Sequence, residues 1–144
     1  NSIIFTSNKY QPQLGDWGTI RFANKTLTST LEYSVIEYAQ YGITIENGNT
    51  QIRKCKISYN YHSGIYITGG NTGSIEDNTI QLNEDGILLS GNTSGMSIQN
   101  NRISANTVNG INFQSLEGTY IQVGHRQVML HTRSRPISSS SSSA

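Results

Sequence analysis

The tetrapeptide Gly42-Ile43-Thr44-Ile45 decides the fold, because a related phrase returns three more times along the chain. The later copies are Gly64-Ile65-Tyr66-Ile67, Gly86-Ile87-Leu88-Leu89 and Gly110-Ile111-Asn112-Phe113. The first two steps between successive glycines are equal, and the third is longer by only two residues. A strand-length apolar unit that repeats at such a period is typical of a solenoid, in which successive coils stack on one another.

Two further apolar positions recur with the same period. One is occupied by Leu31, Ile52, Ile75 and Ile98, and the other lies five residues later, at Ile36, Ile57, Ile80 and Ile103. Each coil therefore carries three short strands, and each strand pairs in parallel with its equivalent one coil away, at a distance of about 4.8 Å. No segment shows helical periodicity. The sequence predicts an all-β solenoid of about five to six coils of 21–24 residues, with three parallel sheets.

Small polar residues recur beside the strands in two files. The first file is Ser34, Cys55, Asn78 and Asn101, and the second is Asn60, Asn83 and Asn106. Such residues tolerate a left-handed backbone and hydrogen-bond to their copies in the next coil, so we expect an asparagine ladder with left-handed residues in the first file. Cys55 is the only cysteine, which excludes an internal disulfide, and its place in this file indicates a small interior residue rather than a reactive thiol.

The segments at residues 75–80 (IEDNTI) and 98–103 (IQNNRI), together with the Gly-Ile phrases, resemble the right-handed parallel β-helix family. The similarity is to its pectate-lyase-like repeat, and the opening segments at 4–7 and 15–20 resemble an early coil of that repeat. The resemblance covers roughly residues 3–124. It implies a carbohydrate-binding or sugar-hydrolase-type domain of secreted and cell-surface proteins. Lyases, hydrolases, epimerases, adhesins and spacers share this fold, so the resemblance implies no single activity.

The chain divides into a β-helix domain at residues 1–124 and a basic end at 125–144. In the second part the pattern decays, and a serine-rich tail is predicted to be disordered. Before that point, Ile121 is expected to follow Ile98 by one period, which also places Gly124 on the ladder position of Asn101. Charged residues make up 13% of the chain and the net charge is +1, which does not favour a nucleic-acid partner. No apolar stretch is long enough to span a membrane. An uncapped end of a stack would favour end-to-end self-association.

The turn before each Gly-Ile phrase is the best candidate for a catalytic site. His62 and Glu84 lie one period apart, so we expect them on adjacent coils about 5 Å from each other. A histidine beside a carboxylate can act as an acid–base pair, and Asp85 is the next acid along the chain. The side chains of Glu84 and Asp85 should diverge. The three histidines lack metal-ligand spacing, so no metal or other cofactor is expected.

Aromatic residues near the same turns are candidates for sugar binding, because ring faces suit the apolar side of a pyranose. They are Trp17, Tyr41, Tyr61 and Tyr66. The alternatives are structural: Trp17 would cover the end of the stack, and the tyrosines would be ordinary strand residues. Tyr38 and Tyr59 share a register and are expected to stack.

Two functional hypotheses follow. The first is a secreted or cell-surface module with a non-catalytic role in carbohydrate recognition or structure, whose partner is a polysaccharide or a cell-surface glycan. The second is a fragment of a polysaccharide lyase or glycoside hydrolase that acts on the outer face of the helix.

Overall fold

A computed structural model describes residues 1–23, 26–70, 72–91, 95–115, 120–124 and 126–129. In these residues the chain forms sixteen strands and no helix. The strands are β1 Ile3–Phe5, β2 Ile20–Phe22, β3 Thr28–Glu32, β4 Ser34–Glu37, β5 Ile43–Ile45, β6 Asn49–Arg53, β7 Lys56–Ser58, β8 Ser63–Thr68, β9 Ser74–Glu76, β10 Thr79–Gln81, β11 Asp85–Gly91, β12 Ser97–Gln99, β13 Arg102–Ser104, β14 Asn109–Ser115, β15 Tyr120–Val123 and β16 Arg126–Met129.

From β1 to β15, every third strand belongs to the same sheet, so the chain winds as a parallel β-helix. Sheet one has the order β1-β4-β7-β10-β13, sheet two β2-β5-β8-β11-β14, and sheet three β3-β6-β9-β12-β15-β16. The first fifteen strands give five coils, at the lower end of the predicted range, and four complete turns lead from β1 to β13. The predicted all-β fold with three parallel sheets is confirmed.

The repeating apolar residues align from coil to coil as the periodicity predicts. Ile57 pairs with Ile36 on one side and with Ile80 on the other, and Ile65 lies between Ile43 and Ile87 in the same way. All of these side chains are fully buried. Burying one such side chain contributes roughly 1.5–3 kcal/mol, so the aligned isoleucines are the main stabilising element of the stack.

The asparagine ladder is present in both files. Asn78 Nδ2 donates to Asn101 Oδ1 at 2.9 Å, and Asn60 Nδ2 donates to Asn83 Oδ1 at 2.9 Å. Asn78 Nδ2 also donates inward to the carbonyl of Ile52 at 2.9 Å. Cys55 is buried within the first file, as expected, and burial raises the pKa of its thiol.

The prediction that the first file itself adopts the left-handed conformation is wrong by one residue. Positive φ angles occur at the preceding positions, which are Tyr33, Lys54, Asp77 and Asn100. The same holds for the second file, where they occur at Tyr59, Leu82 and Ala105, and Tyr38 has a positive φ at the equivalent position one coil earlier. The ladder residue must point its side chain inward to bond the neighbouring coil, so the residue before it makes the corner.

The glycine of each Gly-Ile phrase is required by the close approach of the next coil. A Cβ atom added at Gly64 would lie 2.8 Å from the carbonyl oxygen of Gly86, 2.9 Å from Asn83 Nδ2 and 2.9 Å from Ile80 Cγ2. Gly42 and Gly86 are equally crowded, by the equivalent atoms. The glycines therefore allow the ladder to pack directly against the backbone of sheet two.

The repeat shifts in the first and last coils. Ile20 pairs with Ile43, so the first Ile of sheet two is preceded by Thr19, where the later coils have a glycine. Ile98 pairs with Val123, so the expected alignment of Ile98 with Ile121 is wrong by two residues. This shift also takes Gly124 off the ladder register. The cause is a longer connection before β15, and a shift by an even number of residues preserves the alternation of the two strand faces.

Strand β16 pairs antiparallel with β15, and the register joins Ile121 to Val128. It is the one antiparallel pair among the described strands. The predicted disordered tail lies outside the described residues, and the domain boundary at residue 124 stays a prediction.

The connection from sheet two to sheet three, which we call the variable turn, differs in length from coil to coil. Counted between aligned positions, the steps are nine residues from Phe22 to Leu31, seven from Ile45 to Ile52, eight from Ile67 to Ile75, nine from Leu89 to Ile98 and ten from Phe113 to Val123. Glycines with positive φ occur in it, at Gly48, Gly69, Gly91 and Gly95. By contrast, five residues separate the aligned positions of sheets three and one in four successive coils.

Candidate functional site

The candidate residues lie where the chain turns from sheet one into sheet two. Asp85 pairs with Ser63 on one side and with Asn109 on the other, at the start of their strands. Tyr41 occupies the equivalent position one coil before Ser63, because Ile43 pairs with Ile65 two residues later. The structure therefore gathers the residues that precede the Gly-Ile phrases into one row.

Coil three has one more residue in this turn than the coils on either side. Two residues separate Asn60 from Ser63, whereas a single residue separates Ala39 from Tyr41. Asn60 is fixed by its ladder bond, in which Oδ1 accepts from the backbone N–H of Ala39 at 2.9 Å. The additional residue widens the turn, and the side chain of Tyr61 remains 50% exposed.

Four rings from coils two and three form an aromatic cluster, defined as Tyr41, Tyr61, His62 and Tyr66. Tyr41 stacks on His62 at 5.0 Å and on Tyr66 at 5.1 Å between ring centroids. Tyr61 meets His62 edge to face, with centroids 4.5 Å apart and planes at 80°. Three of the four predicted sugar-binding aromatics are thus brought together. The expected stacking of Tyr38 and Tyr59 also occurs, at 5.7 Å, on the neighbouring corner.

Burial in the cluster raises the pKa of Tyr41, and the nearby Tyr66 and Glu84 raise it further. The Tyr41 hydroxyl therefore stays protonated at neutral pH and can donate a hydrogen bond. The effect of Glu84 also places its carboxylate within electrostatic reach of the cluster.

His62 and Glu84 occupy adjacent coils as predicted, since the N–H of Glu84 donates to the carbonyl of His62 at 2.9 Å. The side chain of Glu84 is exposed. The N–H of Asp85 donates to the same carbonyl at 3.1 Å, but its side chain is buried. Its two oxygens accept from Asn109 Nδ2 at 2.9 Å and from Asn112 Nδ2 at 3.2 Å. The two acids diverge, as expected, and a single carboxylate is left beside His62.

Trp17 has no ring contact with the aromatic cluster. Its indole N–H donates to the carbonyl of Glu37 at 2.8 Å, its backbone pairs with Ala39, and its ring packs against the hydrophobic core. These contacts agree with the alternative in which Trp17 has a structural role.

A loop at residues 7–16, called here the N-terminal loop, borders the cluster and was not predicted as part of the site. Gln40 Nε2 donates to the carbonyl of Gly15 at 2.9 Å, and a Cβ added at Gly15 would lie 3.4 Å from Cβ of Tyr61. The loop carries Tyr10, whose side chain is 98% exposed. Its length, with Pro12 inside it, was the one sequence signal that set this segment apart.

Asp16 holds the N-terminal loop closed. Its carboxylate accepts from Ser7 Oγ at 2.6 Å, from Lys9 Nζ at 2.6 Å and from the N–H of Gln13 at 2.9 Å. The hydrogen bond from Lys9 contributes most, followed by those from Ser7 and Gln13, and together they lower the pKa of Asp16 to about 2. The loop is therefore tied by an ionised carboxylate throughout the physiological pH range.

Within the described residues, no group of three or more His, Cys, Asp or Glu side chains is arranged to hold a metal ion. The same part of the chain contains no helix with the length and apolar character needed to cross a bilayer.

A comparison with protein families matches residues 20–129 to the right-handed β-helix region. Comparisons with curated proteins and with solved structures gave no match. The matched segment covers well over half of the chain and agrees with the three stacked sheets. The chain therefore belongs to the right-handed β-helix family.

Proposed function

We propose that this β-helix is a non-catalytic carbohydrate-recognition module of a secreted or cell-surface protein, and that the aromatic cluster is its binding surface. The observation that carries the proposal is the half-exposed ring of Tyr61, held edge to face against His62 in a set of stacked rings. The resemblance of the repeat to secreted and cell-surface domains supports the extracellular setting.

The four rings have different roles in this proposal. Tyr61 offers the ring surface against which the apolar face of a pyranose packs. Tyr41 and Tyr66 cover each other's faces, so they supply rigidity and hydroxyl groups instead. A platform that is ordered before the ligand arrives loses little side-chain entropy on binding, and this favours affinity.

The geometry supports recognition over hydrolysis. Glycosidases place two carboxyl groups on either side of the scissile bond. Here Glu84 is exposed beside His62, but Asp85 is buried, and both of its oxygens already accept amide protons. Of the two carboxyl groups that such an enzyme needs, only that of Glu84 is therefore exposed at this site.

A glycan array followed by calorimetric titration of the strongest binder tests the proposal, with Tyr61→Ala as the variant. Loss of an aromatic anchor typically costs about 1–2 kcal/mol or more, so we expect affinity to fall about tenfold or further. Tyr33→Ala is the matched control, because Tyr33 is 51% exposed but lies on another corner, beside Lys54. Equal losses in the two variants would contradict the assignment of the site.

The enzymatic alternative is tested on the same protein. Release of reducing sugar or unsaturated uronide by the purified chain, abolished by Glu84→Gln, would replace the recognition function with catalysis. Binding without release is the expected result.

A further inference from the structure

We infer that the ligand of the aromatic cluster is an uncharged glycan, and that polyuronates and sulfated polysaccharides are rejected. The inference rests on the proposed function and concerns the chemical class of its ligand. It follows from the distribution of charge around the cluster.

Acidic residues occupy the row beside the cluster. Glu84 is exposed next to His62 and has no ion pair among the described side chains. Asp85 follows it directly, and its oxygens accept protons from two asparagine amides rather than from a cation. The row that borders Tyr41 and His62 therefore carries the carboxyl groups of Glu84 and Asp85, and neither group forms an ion pair with a described cation.

The two cations nearest to this surface are already occupied. Arg21, on the outer face of sheet two, donates twice to Glu46, from Nε at 2.6 Å and from Nη2 at 2.7 Å. Lys9 in the N-terminal loop is held by Asp16 at 2.6 Å. A paired guanidinium or ammonium group offers little attraction to an incoming anion, because its field is cancelled by the partner carboxylate.

The remaining described cations lie on other parts of the helix. Arg53 pairs with Glu32 in sheet three, and Lys54 donates to the hydroxyl of Tyr33 on the corner between sheets three and one. Lys56 and Arg102 belong to sheet one, in β7 and β13, and Arg126 belongs to sheet three, at the start of β16. In the described residues, no free Lys or Arg side chain is thus available on the face that carries the aromatic cluster.

A glycan that carries a carboxylate or sulfate on each unit would bring its charges beside Glu84 and Asp85. Like charges a few ångströms apart repel, and no cation of the described residues offsets the repulsion here. An uncharged glycan needs only ring contact and hydrogen bonds. The Tyr41 hydroxyl can donate to a sugar oxygen, and the Glu84 carboxylate can accept from a sugar hydroxyl.

The test is titration of the whole chain with three size-matched probes: a neutral gluco-oligosaccharide series, an oligogalacturonate and a chitosan oligosaccharide. Each is measured at low and at high salt. We expect a neutral probe to bind with little salt dependence and the oligogalacturonate to bind at least tenfold more weakly at low salt. Glu84→Gln should narrow that difference, because the variant removes the negative charge of Glu84 while keeping the shape of the side chain.

The other outcomes separate the two proposals. Binding of oligogalacturonate equal to or stronger than that of the neutral probe, and lost in Tyr61→Ala, would overturn the inference and keep the proposed function. Stronger binding of chitosan, lost in Glu84→Gln, would overturn it in favour of a cationic glycan. No binding by any probe would overturn both proposals.

Discussion

Substituting Gly64 by alanine should destabilise the β-helix by about 2–4 kcal/mol, a sum of two effects. The new methyl group would lie less than 3 Å from Gly86, Asn83 and Ile80 of the next coil. Overpacking of this kind costs about 1–3 kcal/mol. Moving the coils apart to relieve it would also weaken the ladder bonds of Asn83, and each hydrogen bond contributes about 1 kcal/mol. The sum is a large fraction of the roughly 5–15 kcal/mol that stabilises a typical domain.

Gly18→Ala is the matched control, because a Cβ atom at Gly18 would have no atom within 4 Å and the residue does not have a left-handed φ. We expect no loss of stability there, and a gain of up to about 1 kcal/mol from the less flexible unfolded chain. Urea unfolding followed by circular dichroism measures both variants. With an m-value of about 2 kcal/mol/M, the midpoint of Gly64→Ala should fall by roughly 1–2 M. Equal midpoints for the two variants would refute the steric explanation of the repeated glycine.

Three further changes test the interior and the N-terminal loop. Asn83→Ala removes the acceptor of both the backbone and the side-chain N–H of Asn60. The free energy of unfolding, measured with urea, should therefore fall by about 2–4 kcal/mol, and a fall below about 1 kcal/mol would contradict a stabilising role of the ladder. Because the pKa of Asp16 is lowered from 3.8 to about 2, the loop's carboxylate bonds are fully present above pH 3.8 and are lost as the pH falls through about 2. Limited pepsin digestion should cleave the N-terminal loop faster only as the pH approaches about 2. Rapid cleavage already at pH 3.8 would contradict the stabilising role of Asp16. Since burial raises the pKa of Cys55, a thiol reagent at neutral pH should label it only after denaturation, which mass spectrometry would show.

The sequence was sufficient to predict the three sheets and most of their register. In a stack of equivalent coils, the same position is buried in each coil, so the spacing from Ile52 to Ile75 and Ile98 is enough to predict that these residues align in the core. The prediction failed where the spacing changes, as at Val123, because the number of residues taken up in a turn is not visible in the alternation of apolar residues. It also misplaced the left-handed corners, since Tyr33 and Lys54 are not residue types that favour a positive φ.

The repeat also allows part of the candidate site to be predicted from the sequence. The neighbourhood of His62 and Glu84 follows from the repeat, and so does the row that contains Tyr41. The half-exposed position of Tyr61 depends on a single additional residue in one turn. The sequence already contained that residue, because the step from Tyr41 to Ser63 is longer by one than the step from Ala39 to Asn60. The hydrogen bonds to the Asp16 carboxylate lie in a segment that does not follow the repeat, so they could not be predicted by comparison with another coil.

The variable turn determines where the sequence of this β-helix can gain or lose residues during evolution. The connection between sheets three and one keeps a constant length, because the first ladder and the aligned isoleucines fix its geometry. The variable turn takes up seven to ten residues while the strands on either side keep their alignment. Insertions and deletions should therefore accumulate on this one edge of the helix. For protein engineering, the same edge is the natural place to graft a foreign peptide for display.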